Sequence, residues 1–365
     1  MQPLSPRMLF ALITLFELGS AALLDPGKGA YEDAWLAIII GYVSALPLLF
    51  LYGHLGKAFP ESNMLDLLQL GFGKYAGKSL SVCYLAYFLY LSARVLRDFD
   101  ELLTISAYSA TSLLLISSCM MMAIMYFSLK GIESIASISP ILFWIVIIPV
   151  VCITFLHFFS GNASFELIKP VLGHGIKPVL QTVFPQIITF PYGEMVVFTL
   201  FFPHLKKKDK LLKVILTSTL LVTVILSLLA AIHVMVLGPQ SVWRSAFPMM
   251  NSVSSINISD FIQRLDIFIV VIMVIVGFAK IAVFFLAAVH GTLQLSKFDS
   301  PAPVTVLFGL VTMYISIAIA PNYFAHIKEG LIVLPLFIHL PFQAIIPALL
   351  FTVLFIRRKR NKVKI

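Results

Sequence analysis

The chain has 365 residues, of which 60% are hydrophobic and only 12% are charged, and it carries a formal net charge of +9. Because a typical soluble domain has about 25% charged residues, this composition excludes a soluble globular protein. The positive charge requires no nucleic acid, since contact with the anionic head groups of a lipid bilayer explains a basic membrane protein.

Ten apolar segments are long enough to cross a bilayer, which requires about 20 residues. They cover approximately residues 7–25, 34–53, 79–106, 112–128, 138–159, 178–202, 211–237, 261–292, 303–320 and 331–356. The connections are too short for a soluble domain, so we predict a single all-α polytopic membrane domain over residues 1–365. The first segment has features of a secretory signal peptide, but Glu17 within it and the nine further spans favour a retained helix.

The basic residues predict the orientation of the chain. Those near span ends are unequally divided between the two sides, and most of the 26 Lys and Arg fall on one side. These are Arg7, Lys57, Lys74, Lys78, Lys130, the basic residues of 206–213, Lys297 and those of 357–364. The positive-inside rule therefore places both termini in the cytoplasm.

Ten spans with both ends on one side divide into two halves of five, about 7–159 and 178–356, followed by a basic tail, 357–365. Because five is odd, the halves cross the membrane in opposite directions, as the inverted repeats of many secondary transporters do. No clear sequence identity links the halves, so the topology permits the repeat without proving it. In the five-plus-five transporter fold the first helix of each half is broken, so we expect breaks in spans one and six.

Span six contains helix-breaking residues and a carboxylate inside an apolar run: Pro185, Pro191, Gly193 and Glu194. A proline lacks an amide hydrogen and its ring clashes with the carbonyl four residues earlier. Glycine lowers the free-energy cost of an unwound segment. Freed backbone groups at this depth are tolerated only against protein or a water-filled cavity. Span one carries a weaker signal, Gly19–Ala21, because small residues are also typical of close helix packing.

Charged residues in the central parts of the spans occur only in spans one, three, six and eight. They are Glu17; Arg94, Arg97, Asp98, Asp100 and Glu101; Glu194; and Lys280. A charge inside a membrane is costly unless it faces a cavity or a partner. The pattern therefore predicts a small-molecule site at the midplane between these four spans.

Alternatives remain for several of these residues. Asp98 to Glu101 lie late in span three and are equally compatible with the outer interface, and Arg94–Asp98 and Arg97–Glu101 have the i,i+4 spacing of ion pairs. A polar stripe on one helix face, together with Glu17, suits a polar path; it consists of Tyr90, Arg94, Arg97 and Glu101. We interpret the histidines near span ends as interfacial: His157, His233, His290 and His339.

Enzymatic and metal-binding patterns are missing from the sequence. The three cysteines, Cys83, Cys119 and Cys152, lie in three different spans and are interpreted as packing residues. No histidine–carboxylate spacing suggests a metal ligand set, and neither HExxH nor GxSxG occurs. We therefore expect no enzyme activity, no catalytic residues, no metal and no cofactor.

Five stretches in order along the chain resemble the membrane-embedded B subunit of spore germinant receptors. They are "LGSAALLDPGKGAYEDAW" (18–35), "FPESNMLDLLQLGFGKYAGKSL" (59–80), "RVLRDFDELL" (94–103), "FPYGEMVVFTLFFPHLKKKDK" (190–210) and "AFPMMNSVSSINISDFIQRLDIF" (246–268). The resemblance implies the amino acid–polyamine–organocation superfamily, ten helices, and the inner membrane of the spore. It also implies recognition of a nutrient, often an amino acid, together with A and C subunits. Ser137 stands where many members have arginine, so no role of that arginine carries over.

The breaks suggest how an amino acid is held. Backbone amides near Gly19, Ser20 and Ala21 offer a place for the carboxylate, and Glu194 beside Gly193 attracts the ammonium. Lys280 replaces a bound cation, paired with backbone carbonyls of span one, Glu17 or Glu194. The other expected ligand-binding residues are Tyr90, Arg97, Thr189, Phe190 and Tyr192. A receptor and an amino acid permease both require this site, so both functions stay open.

Overall fold

The computed structural model describes residues 3–256, 266–296 and 298–359, and this part of the chain is helical with no β-strand. Ten helices in it are long and apolar enough to cross a membrane. They are α1 (Pro6–Leu24), α2 (Lys28–Ala58), α3 (Lys74–Ser106), α4 (Leu113–Lys130), α5 (Ile132–Phe159), α6 (Ile176–Leu200), α7 (Lys208–Leu237), α8 (Ile267–Ser296), α9 (Pro301–Ala318) and α10 (Pro335–Arg358). The ten-span all-α prediction is confirmed, with small shifts at the boundaries. The limits of the two predicted repeats stay a prediction.

The first helix is broken where the sequence analysis expected it. Gly19 has φ −21° and ψ −112°, which is not helical, while the residues on both sides continue α1. A Cβ atom at Gly19 would lie 2.6 Å from Cδ of Lys280 on α8. Glycine is therefore required here because the bent backbone of α1 approaches the side chain of α8 too closely for any larger residue.

The sixth helix is broken as well. It begins as a short α-helix, widens into a π-helical turn at Val183–Ile187, and turns at residues 190–191. It continues as a tighter 3₁₀ helix over Tyr192–Leu200. Pro191 lies at the turn, where its missing amide hydrogen and its ring prevent a continuous α-helix. The predicted break of span six is confirmed.

The broken helices lie at the centre of the bundle. α1 packs against α5, α7 and α8, and α3 packs against α8, so that α1 is buried over most of its length. α4, α5, α9 and α10 lie at the periphery and expose large apolar side chains such as Trp144, Tyr314 and Phe337. Exposed apolar residues are expected on helices that face lipid, because the hydrocarbon core is itself apolar.

A backbone contact ties the two broken helices together on the side of the membrane that holds the N terminus, which we call the near face. Leu4 donates its amide hydrogen to the carbonyl of His204 (2.8 Å) and accepts from the amide of Lys206 (2.9 Å). Leu4 and Leu205 are both buried. The chain before α1 and the chain after α6 are therefore held side by side.

We predict that Gly19→Ala destabilises the protein, because the added methyl group overlaps the side chain of Lys280. Overpacking of this kind costs about 1–3 kcal/mol. Lys280→Ala shortens the opposing side chain, so the double variant should recover part of the stability lost at Gly19. Thermal unfolding in detergent measures both effects, with Ser20→Ala as the control. Equal losses for Gly19→Ala with and without Lys280→Ala would contradict the packing argument.

Candidate ligand site at the helix breaks

A buried ion pair joins α8 to α6. The Nζ atom of Lys280 lies 2.5 Å from Oε2 of Glu194, and the side chains are 0% and 5% exposed. The ammonium group also lies 5.2 Å from the ring centroid of Phe16 and 4.8 Å from that of Phe190. Aromatic faces attract cations. Lys280 is thus compensated by one carboxylate and two rings, and the carboxylate is one of the partners that the sequence suggested.

A second carboxyl group lies close to this pair without a partner. Glu17 of α1 is 0% exposed, and neither of its carboxyl oxygens has a hydrogen-bond partner among the described residues. It is near enough to interact electrostatically with Lys280 and Glu194. A buried carboxylate without a partner is costly. The group is stable there when it holds a proton or when a cationic group of a ligand pairs with it.

A small cavity of about 40 Å³ adjoins the pair. α1, α3, α6, α10 and the connection between α9 and α10 (319–334) line it. The lining residues are Ser20, Leu24, Leu91, Arg94, Val95, Asp98, Phe190, Glu194, His326, Ile327, Gly330, Leu331 and His339. This volume admits only a few water molecules. The site is therefore nearly closed in this conformation, and Lys280 of α8 reaches it through Glu194.

The connection 319–334 is fastened to α3 across the cavity. Arg94 donates to the carbonyl of His326 (2.7 Å) and pairs with Glu329 (3.5 Å), while Nε2 of His326 lies 3.0 Å from Oδ1 of Asp98. Of the two i,i+4 pairings that the spacing permits, Arg94–Asp98 does not form, because the neighbouring connection offers both residues partners outside their own helix. The Arg97–Glu101 pair is confirmed, with Nη2 and Oε1 2.6 Å apart.

The outer-interface interpretation of the α3 charges stays a prediction, but protein covers these carboxylates. Asp98 and Asp100 are 5% and 1% exposed, and Asp100 accepts a hydrogen bond from Ser117. These carboxylates are buried because α4 and the connection 319–334 cover the end of α3 and supply their hydrogen-bond donors. A single helix sequence carries no information about that cover.

Several expected ligand-binding residues point elsewhere in this conformation. Tyr192 contacts Thr223 on α7 (2.7 Å between hydroxyl oxygens), and Thr189 donates to the carbonyl of Pro185 in its own helix (2.9 Å). Five further expected ligand-binding residues do not line the cavity: Gly19, Ala21, Tyr90, Arg97 and Gly193. Lys280 does not line it either, and only its partner Glu194 does. Their roles in ligand binding stay predictions, as do those of Glu17 and Glu101 in a polar path.

Neutral polar residues of α10 form a network that the sequence analysis missed. Gln343 donates to the hydroxyl of Tyr87 (2.9 Å), which lies 2.8 Å from Nδ1 of His339. Tyr52 donates to the carbonyls of Gly193 (3.2 Å) and Gln343 (2.5 Å). The network therefore connects α10 to the break in α6. A count of charged residues cannot find it, although the four-residue spacing of His339 and Gln343 in an apolar helix was a usable signal.

The interfacial interpretation of the histidines stays a prediction, and the structure shows what surrounds them. His157, His233 and His339 are buried, and His233 pairs with Asp25 (2.9 Å). His290 is partly buried and lies 3.1 Å from the carbonyl of Ser128. Asp25 after α1 contacts His233, and Tyr87 of α3 contacts His339. His326, which lies in such a connection, was not considered and is the histidine closest to the α3 charges.

Comparison with known proteins agrees with this architecture. Residues 3–324 match the family model described as spore germination protein (Spore_permease). The chain belongs to this family of spore germination permeases. It is 36% identical to spore germination protein KB of Bacillus subtilis (strain 168) over 359 residues, covering 98% of this chain and 96% of that protein. It is 24% identical to spore germination protein YndE of the same organism over 291 residues, covering 80% and 78% of the two chains.

Solved transporters share the fold. The crystal structure of MhsT in complex with L-phenylalanine superposes with a TM-score of 0.68 at 12% identity, covering 98% of this chain and 90% of that one. The nucleobase-cation-symport-1 transporter Mhp1 gives 0.64 at 13% identity, covering 88% and 73%. At such low identity the likeness establishes the fold alone. The resemblance to spore germination proteins that the sequence showed is confirmed.

We predict strong energetic coupling between Lys280 and Glu194. Lys280→Met leaves a buried carboxylate without its partner, which costs about 3–5 kcal/mol. Glu194→Gln in the same chain removes the unpaired negative charge and should restore much of the stability. Thermal unfolding of the two single variants and the double variant measures the coupling. The exposed Lys213→Met is the matched control, and additive losses would contradict the pairing.

Proposed function

We propose that this protein is the nutrient-sensing membrane subunit of a spore germinant receptor and binds a small amino acid at the two helix breaks. One observation carries the proposal. Several buried polar atoms that have no hydrogen-bond partner among the described residues lie at the breaks or beside the cavity, whereas nearly all buried polar groups in proteins have partners. They are both carboxyl oxygens of Glu17, Oγ of Ser20, Nδ1 of His326 and Oε1 of Gln343.

The chemistry of these groups suits a zwitterion. Glu17 and Glu194 supply negative charge for the ammonium group of a ligand. Arg94 and the hydroxyl of Ser20 line the cavity and suit its carboxylate, together with backbone amides freed near Gly19. Leu91, Phe190 and Leu331 line the cavity as apolar surface for a side chain. The L-phenylalanine complex of MhsT, which has the same fold, supports an amino acid as the ligand class.

Binding requires a rearrangement, because a cavity of about 40 Å³ is too small for an amino acid. The connection 319–334 is the element that must move, since Arg94 and Asp98 hold it over the cavity. A ligand that favours one arrangement of this connection shifts the equilibrium between states. In our proposal the shift passes to A and C subunits in the inner membrane of the spore, with both termini of this chain in the cytoplasm.

The contact on the near face favours a receptor. Leu4 is hydrogen-bonded to the chain after α6, so the near-face halves of α1 and α6 are tied together. Alternating access in a permease moves one repeat or bundle against the other, and this contact opposes any such movement that separates α1 from α6. The permease remains the second candidate because the fold is that of solved transporters.

A binding assay and an uptake assay on the same preparation separate the two functions. We expect the purified protein in lipid nanodiscs to bind one or more amino acids saturably, and Glu194→Gln to bind them more weakly. The same protein in liposomes should show no uptake of the bound amino acid. Uptake that exceeds that of empty liposomes would establish the permease instead, and a lack of saturable binding would reject the site.

We also predict that ligand binding is independent of sodium. The ammonium group of Lys280 already bridges the region between α8, the break of α1 and Glu194, where a bound cation would perform the same task. The dissociation constant should therefore be equal in sodium chloride and in choline chloride. Lys280→Met should weaken binding roughly ten-fold, the loss of one charge-assisted contact, and regain part of it at high sodium concentration.

The exposed Lys213→Met serves as the control for this experiment, because it removes a lysine far from the breaks. A wild-type protein that binds only in sodium would contradict the role of Lys280. An unchanged dissociation constant for Lys280→Met would contradict it equally.

A further inference from the structure

A second, larger cavity of about 410 Å³ opens on the side of the membrane opposite to the N terminus, which we call the far face. The start of α2, Gln186 of α6, residues 243–246 after α7, and the connection 319–334 form it. We call this cavity the far-face vestibule. Six of its lining residues carry the argument: Lys28, Trp243, Arg244, Phe324, Ile327 and Lys328.

The vestibule holds positive charge without negative charge. Lys28, Arg244 and Lys328 line it, and its lining includes no aspartate or glutamate among the described residues. Within the described part of the chain, none of these three cations forms an ion pair. Most cations in the centre of the bundle are paired. The vestibule therefore carries three cations that no carboxylate of the described residues pairs with directly.

Lys28 is the buried cation of the site. It is 7% exposed, and its ammonium group makes one hydrogen bond, to the carbonyl of Ser245 (3.1 Å). An ammonium group has three donors, so two have no acceptor among the residues that the structure describes. Burying a cation is costly unless it is paired. A bound anionic oxygen would satisfy the free donors and offset that cost.

The vestibule and the central cavity share a wall. Ile327 and Leu331 line both cavities, and they belong to the connection that Arg94 and Asp98 hold against α3. On the far side of this wall the cation that lines the central cavity is Arg94. A carboxylate that leaves Lys28 and passes the wall therefore meets a second cation.

We propose that the far-face vestibule is a separate binding site for small carboxylates, where Lys28, Arg244 and Lys328 hold the carboxylate. This inference rests on the proposed function, since the vestibule would be the first contact of the same ligand. Cations bind carboxylates through charge-assisted hydrogen bonds, and arginine does so with two parallel donors. A cleft lined by one sign of charge also raises the local concentration of oppositely charged ligands. Trp243 and Phe324 supply apolar surface for the rest of the molecule.

Fluorescence of Trp243 tests the proposal. The chain has three tryptophans, so Trp35→Phe and Trp144→Phe leave Trp243 as the single reporter. The protein in nanodiscs of uncharged phosphatidylcholine is titrated at constant ionic strength with propionate and with propionamide, which differs mainly in lacking the charge. We expect a saturable change with propionate and a response at least roughly ten-fold weaker with propionamide, because one charge-assisted bond is worth about 1.5–3 kcal/mol.

Variants separate this site from the central one. Arg244→Gln with Lys328→Gln changes exposed residues only and should weaken the propionate response roughly ten-fold, and Lys28→Met should do the same. Glu194→Gln should leave that response unchanged while it weakens amino acid binding at the breaks, and Lys213→Met should change neither. Equal responses to propionate and propionamide, no response to either, or a response that survives all three vestibule substitutions would overturn the proposal. A lack of saturable amino acid binding by the unsubstituted protein, together with an intact propionate response, would instead count against the proposed function.

Discussion

The buried ammonium of Lys280 is the constraint around which the centre of this protein is arranged. A cation at that depth must be compensated, and its compensation recruits residues from several helices. Glu194 supplies the charge, Phe16 and Phe190 supply ring faces, and Gly19 leaves room for the side chain. The break of α1 and the break of α6 are thus held against α8 by one side chain, which explains why a helix can be interrupted here without losing its packing.

The connection 319–334 covers this centre on the far-face side. It separates the central cavity from the far-face vestibule, and its hold on α3 depends on Arg94 and Asp98. On the near face the contact at Leu4 keeps the two broken helices together. The near-face ends of α1 and α6 are therefore held together, and the connection 319–334 covers the central cavity on the far-face side.

The sequence predicted the ten-helix architecture and part of the site. The ten spans, both helix breaks and the partner of Lys280 follow from composition, from proline and glycine, and from the high cost of charge in hydrocarbon. The partners of Arg94 and Asp98 were not predicted because i,i+4 spacing describes only contacts within one helix. His326 and Gln343 were missed because neutral polar residues carry no such cost signal, and their importance depends on which helices lie beside them.

The sequence by itself determined that this chain crosses a membrane with ten helices, where two of them break, and which helices carry charge. Each of these follows from local chemistry: apolar length, a missing amide hydrogen, and the free energy of burying an ion. Only the tertiary structure decided which charges pair and which polar atoms remain without partners. It also decided that Tyr192 turns towards α7, and that Gln186 of α6, residues 243–246 and the connection 319–334 meet around Lys28. Those outcomes depend on contacts between residues far apart in the chain, and local sequence patterns do not encode them.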